Sequence, residues 1–298
     1  MALGDSPTVA RRRVRLALRG AREHGGLTQQ QVADEMEWSL SKVIRIESGE
    51  VSIAPNDLRP LLGFLGIKDR SRIDALVQDA RAARVRQRRS WWQEPVYREH
   101  LTPALRHLIE FEAEAVSIRY FGLLVMPGPI QIPQYAEALT RRWSEGEELT
   151  EDEIKFRVQA RTLRRDTILS RLGSLRLFVL LDEAVLLRPI GGRDIFAGQL
   201  KELIRLGEHD SVSIRMIPFD VEIALSNNAA FDLLYLGQDG NDDDAIMYRE
   251  TGPADEIIED HTTAARHRTR YEKLWDAALD ESATAAFIQE RLDAVHRK

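Results

Sequence analysis

LTQQQVADEMEWSLSKVIRIESG, residues 27–49, reads as two short helices joined by a tight turn. Thr28 offers a side-chain oxygen to cap the first helix, and Val32, Ala33 and Met36 follow at helical spacing. Ser39 caps the second, which buries Val43 and Ile46 and turns Leu40, Ser41, Lys42 and Arg45 outward. A capped helix start can meet a phosphate, and a neighbouring helix with an adaptable polar face can enter a major groove. The pattern predicts a helix-turn-helix that contacts double-stranded DNA through Thr28, Ser39, Leu40, Ser41, Lys42 and Arg45.

Working outward, Val9 to about His24 has the spacing of a preceding helix, with Val14, Leu16, Ala17 and Ala21 available for a core and Gly25-Gly26 to end it. Arg11, Arg12 and Arg13 sit at its start, either against backbone phosphate or on a solvated face. After Gly49, Ala54-Pro55 opens a helix through Leu58, Leu61, Leu62 and Leu65, with Pro60 still close enough to its start to be tolerated. Gly66 stops it, and Asp69 to about Arg89 gives a fifth helix. The expectation is an all-α, five-helix domain over residues 1–90.

The quoted stretch resembles the helix-turn-helix of the xenobiotic-response-element and phage-repressor family of regulators. The likeness rests on Leu27-Thr28-Gln29, the pair Val32-Ala33, and Ser39-x-Ser41-Lys42-Val43-Ile44-Arg45-Ile46-Glu47-x-Gly49 at fixed spacing. It implies that Gln29 binds phosphate, that Leu40, Ser41 and Arg45 face base edges, and that Lys42 meets the DNA backbone. It also implies a structural ion pair between Arg22 and Glu47. The family pattern has glycine in the turn where this chain has Glu37. A left-handed backbone there costs a non-glycine residue about 1 kcal/mol, which burial of Trp38 can offset.

Side-chain chemistry limits what this surface can read. Arg45 can pair bidentately with guanine O6 and N7, for about 1–3 kcal/mol of discrimination. Ser41 is indifferent between bases, and Leu40 can cover a thymine methyl. One strong reader and two weak ones make a poorly selective monomer, so a homodimer with recognition helices about 34 Å apart is expected.

The chain has 298 residues, enough for about two domains, with 43% hydrophobic and 30% charged residues, as in a globular protein. It contains no cysteine, which removes disulfides and thiolate metal sites and fits a reducing compartment. MALGDSPTVARRR has no apolar core of a signal peptide, and no apolar run approaches the ~20 residues of a bilayer span. These features place the protein in the cytoplasm, at the nucleoid and off the membrane, with no cofactor expected. Net charge is −6, but residues 1–90 carry 17 Lys+Arg against 11 Asp+Glu and the remainder 25 against 37. A basic head on an acidic body fits a nucleic-acid module joined to a domain with another task.

RAARVRQRR, residues 81–89, is either a second phosphate-contacting segment or an exposed helix end. Trp91 and Trp92 cannot share one helix face, so one of them anchors the body or a partner chain. Over residues 91–298 we read a helix from Thr102 through Tyr120, another from about Pro133, and a third from Thr150, where Glu153 completes a capping box, to about Leu172. Arg157, Arg161, Arg164 and Arg165 line one side of that third helix, as a solvated face or an anion clamp. SLRLFVLLD (174–182), VSIRMIPF (212–219), AAFDLLYL and AIMYRE read as strands, the last two joined by a hairpin loop at Gly237–Asp244. With a helix at about Asp194–Leu206 and two closing helices, Thr262–Leu279 and Ser282–Val295, the class is α+β with a small mixed sheet.

FGLLVMPGPIQIPQYAEAL, FVLLDEAVLLRPIGG, QLKEL, VSIRMIPF, AAFDLLYL and AIMYRE, in that order, resemble the C-terminal domain of actinobacterial WhiJ-like regulators, also described as antitoxin-like. The resemblance implies a small acidic partner protein, encoded nearby, that modifies DNA binding. Asp182-Glu183, Glu250, His209, His261 and His267 invite a catalytic reading. No nucleophile elbow, phosphate-binding glycine loop or metal-spaced histidine pair accompanies them, and Asp242-Asp243-Asp244 lacks calcium-loop spacing. The sequence therefore points to a DNA-binding transcriptional regulator rather than an enzyme. The alternative is a small-molecule sensor or hydrolytic body tethered to DNA, for which Glu183 is the residue to test.

Overall fold

The computed structural model describes residues 6–85, 90–144, 150–222, 230–237, 241, 245–250 and 255–297. The chain divides into two compact units, residues 1–89 and 90–298.

The first unit contains α1 (Pro7–His24), α2 (Gln29–Glu35), α3 (Leu40–Glu47), α4 (Pro55–Phe64) and α5 (Arg70–Ala82). Its core gathers one stripe from each helix: Val14 and Leu18, Val32 and Ala33, Val43 and Ile46, Leu58, Leu61 and Leu62, then Leu76, Val77 and Ala80. Two expectations need correction here. Arg12 is buried and Arg11 and Arg13 are half-buried, with Arg13 3.7 Å from Asp79, so the arginine run is not a solvated face. The fifth helix ends at Ala82, well short of Arg89, because its apolar stripe runs out at Ala83 and Val85 stands exposed. Arg86, Arg88 and Arg89 of the arginine-rich segment lie outside the described residues.

The second unit runs α6 (Pro95–His100), α7 (Pro103–Glu112), β1 (Ser117–Gly122), α8 (Pro133–Ser144), α9 (Glu151–Leu169), β2 (Arg176–Asp182), α10 (Glu183–Leu187) and α11 (Arg193–Gly207). It continues with β3 (Val212–Ile217), β4 (Phe231–Tyr235), β5 (Ala245–Glu250), β6 (Asp255–Ile258), α12 (His261–Ala277) and α13 (Glu281–Arg297). The strands form one six-stranded mixed sheet in the order β3-β2-β1-β4-β5-β6. The strands β1, β2 and β3 run parallel, and β4, β5 and β6 join antiparallel. One face meets α12, where Phe121, Leu180, Phe231, Leu233 and Met247 pack with Tyr271 and Leu274. Trp91 is anchored within this unit: its indole N–H donates to Thr167 Oγ1 at 3.2 Å, and its ring meets Tyr97 edge-on.

The sheet is larger than expected because two strands escaped the sequence reading. Thr102–Tyr120 is not one helix: α7 ends at Glu112 and β1 takes over at Ser117. Both faces of β1 are covered, so five of its six residues are buried and the period-2 alternation of a half-buried strand never appears. Four-residue β6, half-buried throughout, was too short to read. The β4–β5 hairpin pairs Tyr235 with Ala245, while the Asp242–Asp244 run lies outside the described residues.

The arginines of α9 also need correction. Arg164 is 8% exposed and reaches Glu112, itself 1% exposed, with Nε to Oε2 and Nη2 to Oε1 both at 2.6 Å. Arg165 pairs with Glu202 on α11, and the half-buried Arg161 lies over the Trp143 ring. These side chains bind the helices to one another instead of facing water. Burial opposes the Arg164 charge, but the Glu112 carboxylate outweighs it and holds the pKa up. The Tyr120 hydroxyl donates to the same Glu112 at 3.1 Å. Tyr120, Asp232 and Tyr248 are cross-strand neighbours on β1, β4 and β5. Burial pushes the Asp232 carboxyl well above its usual range, Arg164 working against the shift and Glu112 and Glu250 adding to it.

Candidate nucleic-acid interface

The surface is assembled from α2, α3 and the end of α1. At the start of α2, Thr28 Oγ1 accepts the Gln31 backbone N–H at 3.2 Å, and Gln31 Oε1 accepts the Thr28 N–H at 2.8 Å. This reciprocal pair is a full capping box, of which the sequence reading had found only Thr28. At the start of α3, Ser39 Oγ accepts the Lys42 N–H at 3.2 Å. Of the three hydroxyl residues expected to contact DNA, Thr28 and Ser39 therefore serve first as caps.

Between the caps, Glu37 adopts φ 53°, the left-handed conformation the missing glycine implied. The next residue, Trp38, is half-buried against the core of the unit. Its ring carries the Lys42 ammonium at 3.6 Å from the centroid, and the same ammonium is 3.2 Å from Asp57 Oδ2 on α4. Lys42 thus braces α3 against α4 and the turn.

Glu47 fixes the other end of α3. Its carboxylate accepts Arg22 Nε at 2.7 Å, Arg22 Nη2 at 3.0 Å and Gln29 Nε2 at 2.8 Å. Arg22 Nη1 adds a bond to Leu27 O at 2.9 Å. Hydrogen bonding to Glu47 holds the Arg22 pKa up against desolvation. The ion pair implied by the family likeness is present, and it ties α1, α2 and α3 together. The half-buried Gln29 amide joins it through Nε2, a group with a second N–H to donate.

What α3 shows to solvent is a face of Leu40, Ser41, Ile44, Arg45 and Ser48. Arg45 is exposed, its Nε 3.6 Å from the equally exposed Glu50 Oε2, a contact weak enough to exchange for another acceptor. Ile44 was missed. The signal was available, since a residue four positions after Leu40 lies on the same side of a helix. Ile44 also borders an open hollow of about 470 Å³ with Arg19, Arg22, Gln29, Glu47 and Ser48.

A helix-turn-helix domain matches residues 14–76, a span that contains every residue of this surface. A domain of unknown function, DUF5753, matches residues 105–290, more than half of the chain. The chain belongs to the DUF5753 family. No curated protein and no solved structure matches it.

The DUF5753 span runs from within α7 to within α13. Five of the acidic and histidine residues singled out above have contacts within their own unit. Asp182 Oδ1 accepts the Ala184 N–H at 2.9 Å and caps α10, and Glu183 Oε2 accepts the Phe219 N–H at 2.8 Å. His267 Nδ1 lies 2.8 Å from Thr263 O on its own helix, and His209 Nδ1 accepts the Ser211 N–H at 3.1 Å. Glu250 Oε1 is 3.5 Å from the Tyr248 hydroxyl. Among the described residues, no helix is long and apolar enough to cross a membrane.

Proposed function

We propose that this protein is a transcriptional regulator that binds double-stranded DNA as a homodimer and reads the major groove with α3. The observation that carries this reading is the braced helix itself. Both ends of α3 are fixed, by the Ser39 cap and by the Glu47 carboxylate, while Ser41 and Arg45 stay exposed on its outer side. Such rigidity lowers the ordering cost of bringing those side chains to base edges. The single guanidinium on that face, Arg45, is the strong reader, and the need for a second half-site supports the dimer.

Unit 2 is the part that decides when binding occurs. The resemblance to WhiJ-like regulators supports a small acidic partner protein as the signal, with a small ligand as the alternative input. We read this unit as regulatory and not hydrolytic, because the Glu183 carboxylate is engaged by the Phe219 backbone N–H.

The test is selection of binding sites from random double-stranded DNA with the full chain, followed by footprinting. Arg45→Ala is expected to abolish selective binding while leaving the circular-dichroism spectrum unchanged. A variant that protects the same site with undiminished affinity would remove α3 from the groove.

A further inference from the structure

Two large apolar side chains side by side on an outward helix face gain free energy when something dry covers them. Among the described residues of the first unit, the exposed large hydrophobic residues are Leu40, Ile44 and Val85. Two of these three fall on one eight-residue helix, α3, at 38% and 42% exposure. They stand four residues apart, so their side chains form a short row along the helix, beside the polar row of Ser41, Arg45 and Ser48. The core of the unit has no use for them: Val43 and Ile46 supply the buried side of α3. Lys42, between the rows in sequence, is drawn back onto Trp38 and Asp57. The outer surface is therefore divided lengthwise into an apolar half and a hydrogen-bonding half.

In a major groove the apolar group a helix can meet at a base edge is the thymine C5-methyl. Four residues of α-helix rise about 6 Å, close to two base-pair steps of about 3.4 Å. We infer that Leu40 and Ile44 together read thymine methyls about two base-pair steps apart in the half-site, with Ile44 a specificity-determining residue alongside Arg45. The preferred half-site is then a mixed one, thymines under the apolar row and a guanine under Arg45. This rests on the proposal that α3 enters the major groove, and adds the bases it selects.

The experiment uses the full chain and the site obtained by selection from random duplexes. Each thymine of that site is replaced in turn by deoxyuridine, which removes only the methyl group, and affinity is measured by fluorescence anisotropy. Wild type is expected to lose about three- to fivefold at one or two positions of each half-site, the loss of one buried methyl. Leu40→Ala and Ile44→Ala, both at exposed positions and both compatible with a helix, are each expected to bind the unmodified site more weakly and to become indifferent to uracil at one of those positions. Equal binding of thymine and uracil sites by wild type overturns the inference while leaving groove entry standing. Uracil sensitivity that persists undiminished in both variants overturns it as well. Failure to select any site overturns the underlying DNA-reading proposal and this inference with it.

Discussion

Glu37 holds a left-handed backbone at φ 53° in the turn between α2 and α3. Its side chain is exposed, so nothing the residue itself packs against offsets the strain. Glu37→Gly is expected to stabilise the first unit by up to about 1 kcal/mol, the steric relief being partly offset by the freer unfolded chain. Thermal unfolding followed at the Trp38 region by NMR checks it, and a destabilised variant would show that the turn draws on the Glu37 side chain. Asp232 offers a pH test. Its carboxyl is raised above the unfolded value of about 3.9, so its contribution to stability is complete below that pH and is lost as pH rises through the raised value. Asp232→Asn should therefore gain on wild type progressively as pH increases, in denaturant melts at matched ionic strength. A difference independent of pH would mean that the group titrates normally. The turn strain and this shift were not equally visible in sequence. The first followed from a missing glycine at a recognised position, whereas the second depends on three strands and two helices meeting around one side chain.

At the scale of elements, the features announced by short-range chemistry were legible. Thr28, Ser39 and Thr150 each cap the helix they precede, and Thr150 with Glu153 makes the expected reciprocal pair, Glu153 Oε2 accepting the Thr150 N–H at 2.7 Å. Thr150→Ala should destabilise the second unit by about 1 kcal/mol, read from the shift of its denaturant midpoint. No shift would mean that α9 is held by packing alone. What stayed hidden was set by partners far away in sequence. The helical spacing of α7 runs on smoothly into Val116 and Ile118, and only the pairing of β1 with β2 and β4 turns Ile118 into strand. The same holds for α9. A row of arginines at helical spacing looks like a solvated face until Glu112 and Glu202 arrive from two other helices. On α3, by contrast, every residue of the outer face could be placed by counting, and Ile44 was overlooked, not concealed.

For the whole molecule, each unit owns a separate apolar core and a separate ion pair, the part-buried Arg22–Glu47 in the first and the buried Arg164–Glu112 in the second. Removing one partner of such a pair leaves an uncompensated charge, at about 3–5 kcal/mol. Glu112→Ala in the full chain is expected to raise amide hydrogen exchange across α7, α9 and the sheet, and to leave peptides from Pro7 to Ala82 at wild-type rates. Faster exchange in α1–α5 as well would show that the two units unfold as one. The charge distribution points the same way: the positive surplus sits in residues 1–90, the negative one in the remainder.

The place of β1 in the sheet has a consequence for how the chain emerges from the ribosome. That strand is made early but needs Phe231–Tyr235 for its second neighbour, and every residue between must be synthesised first. The first unit, by contrast, has all of its helices once Ala82 is out. A nascent polypeptide will thus present a finished α3 while the second unit is still incomplete, with β1 and β2 waiting edge-on for a partner.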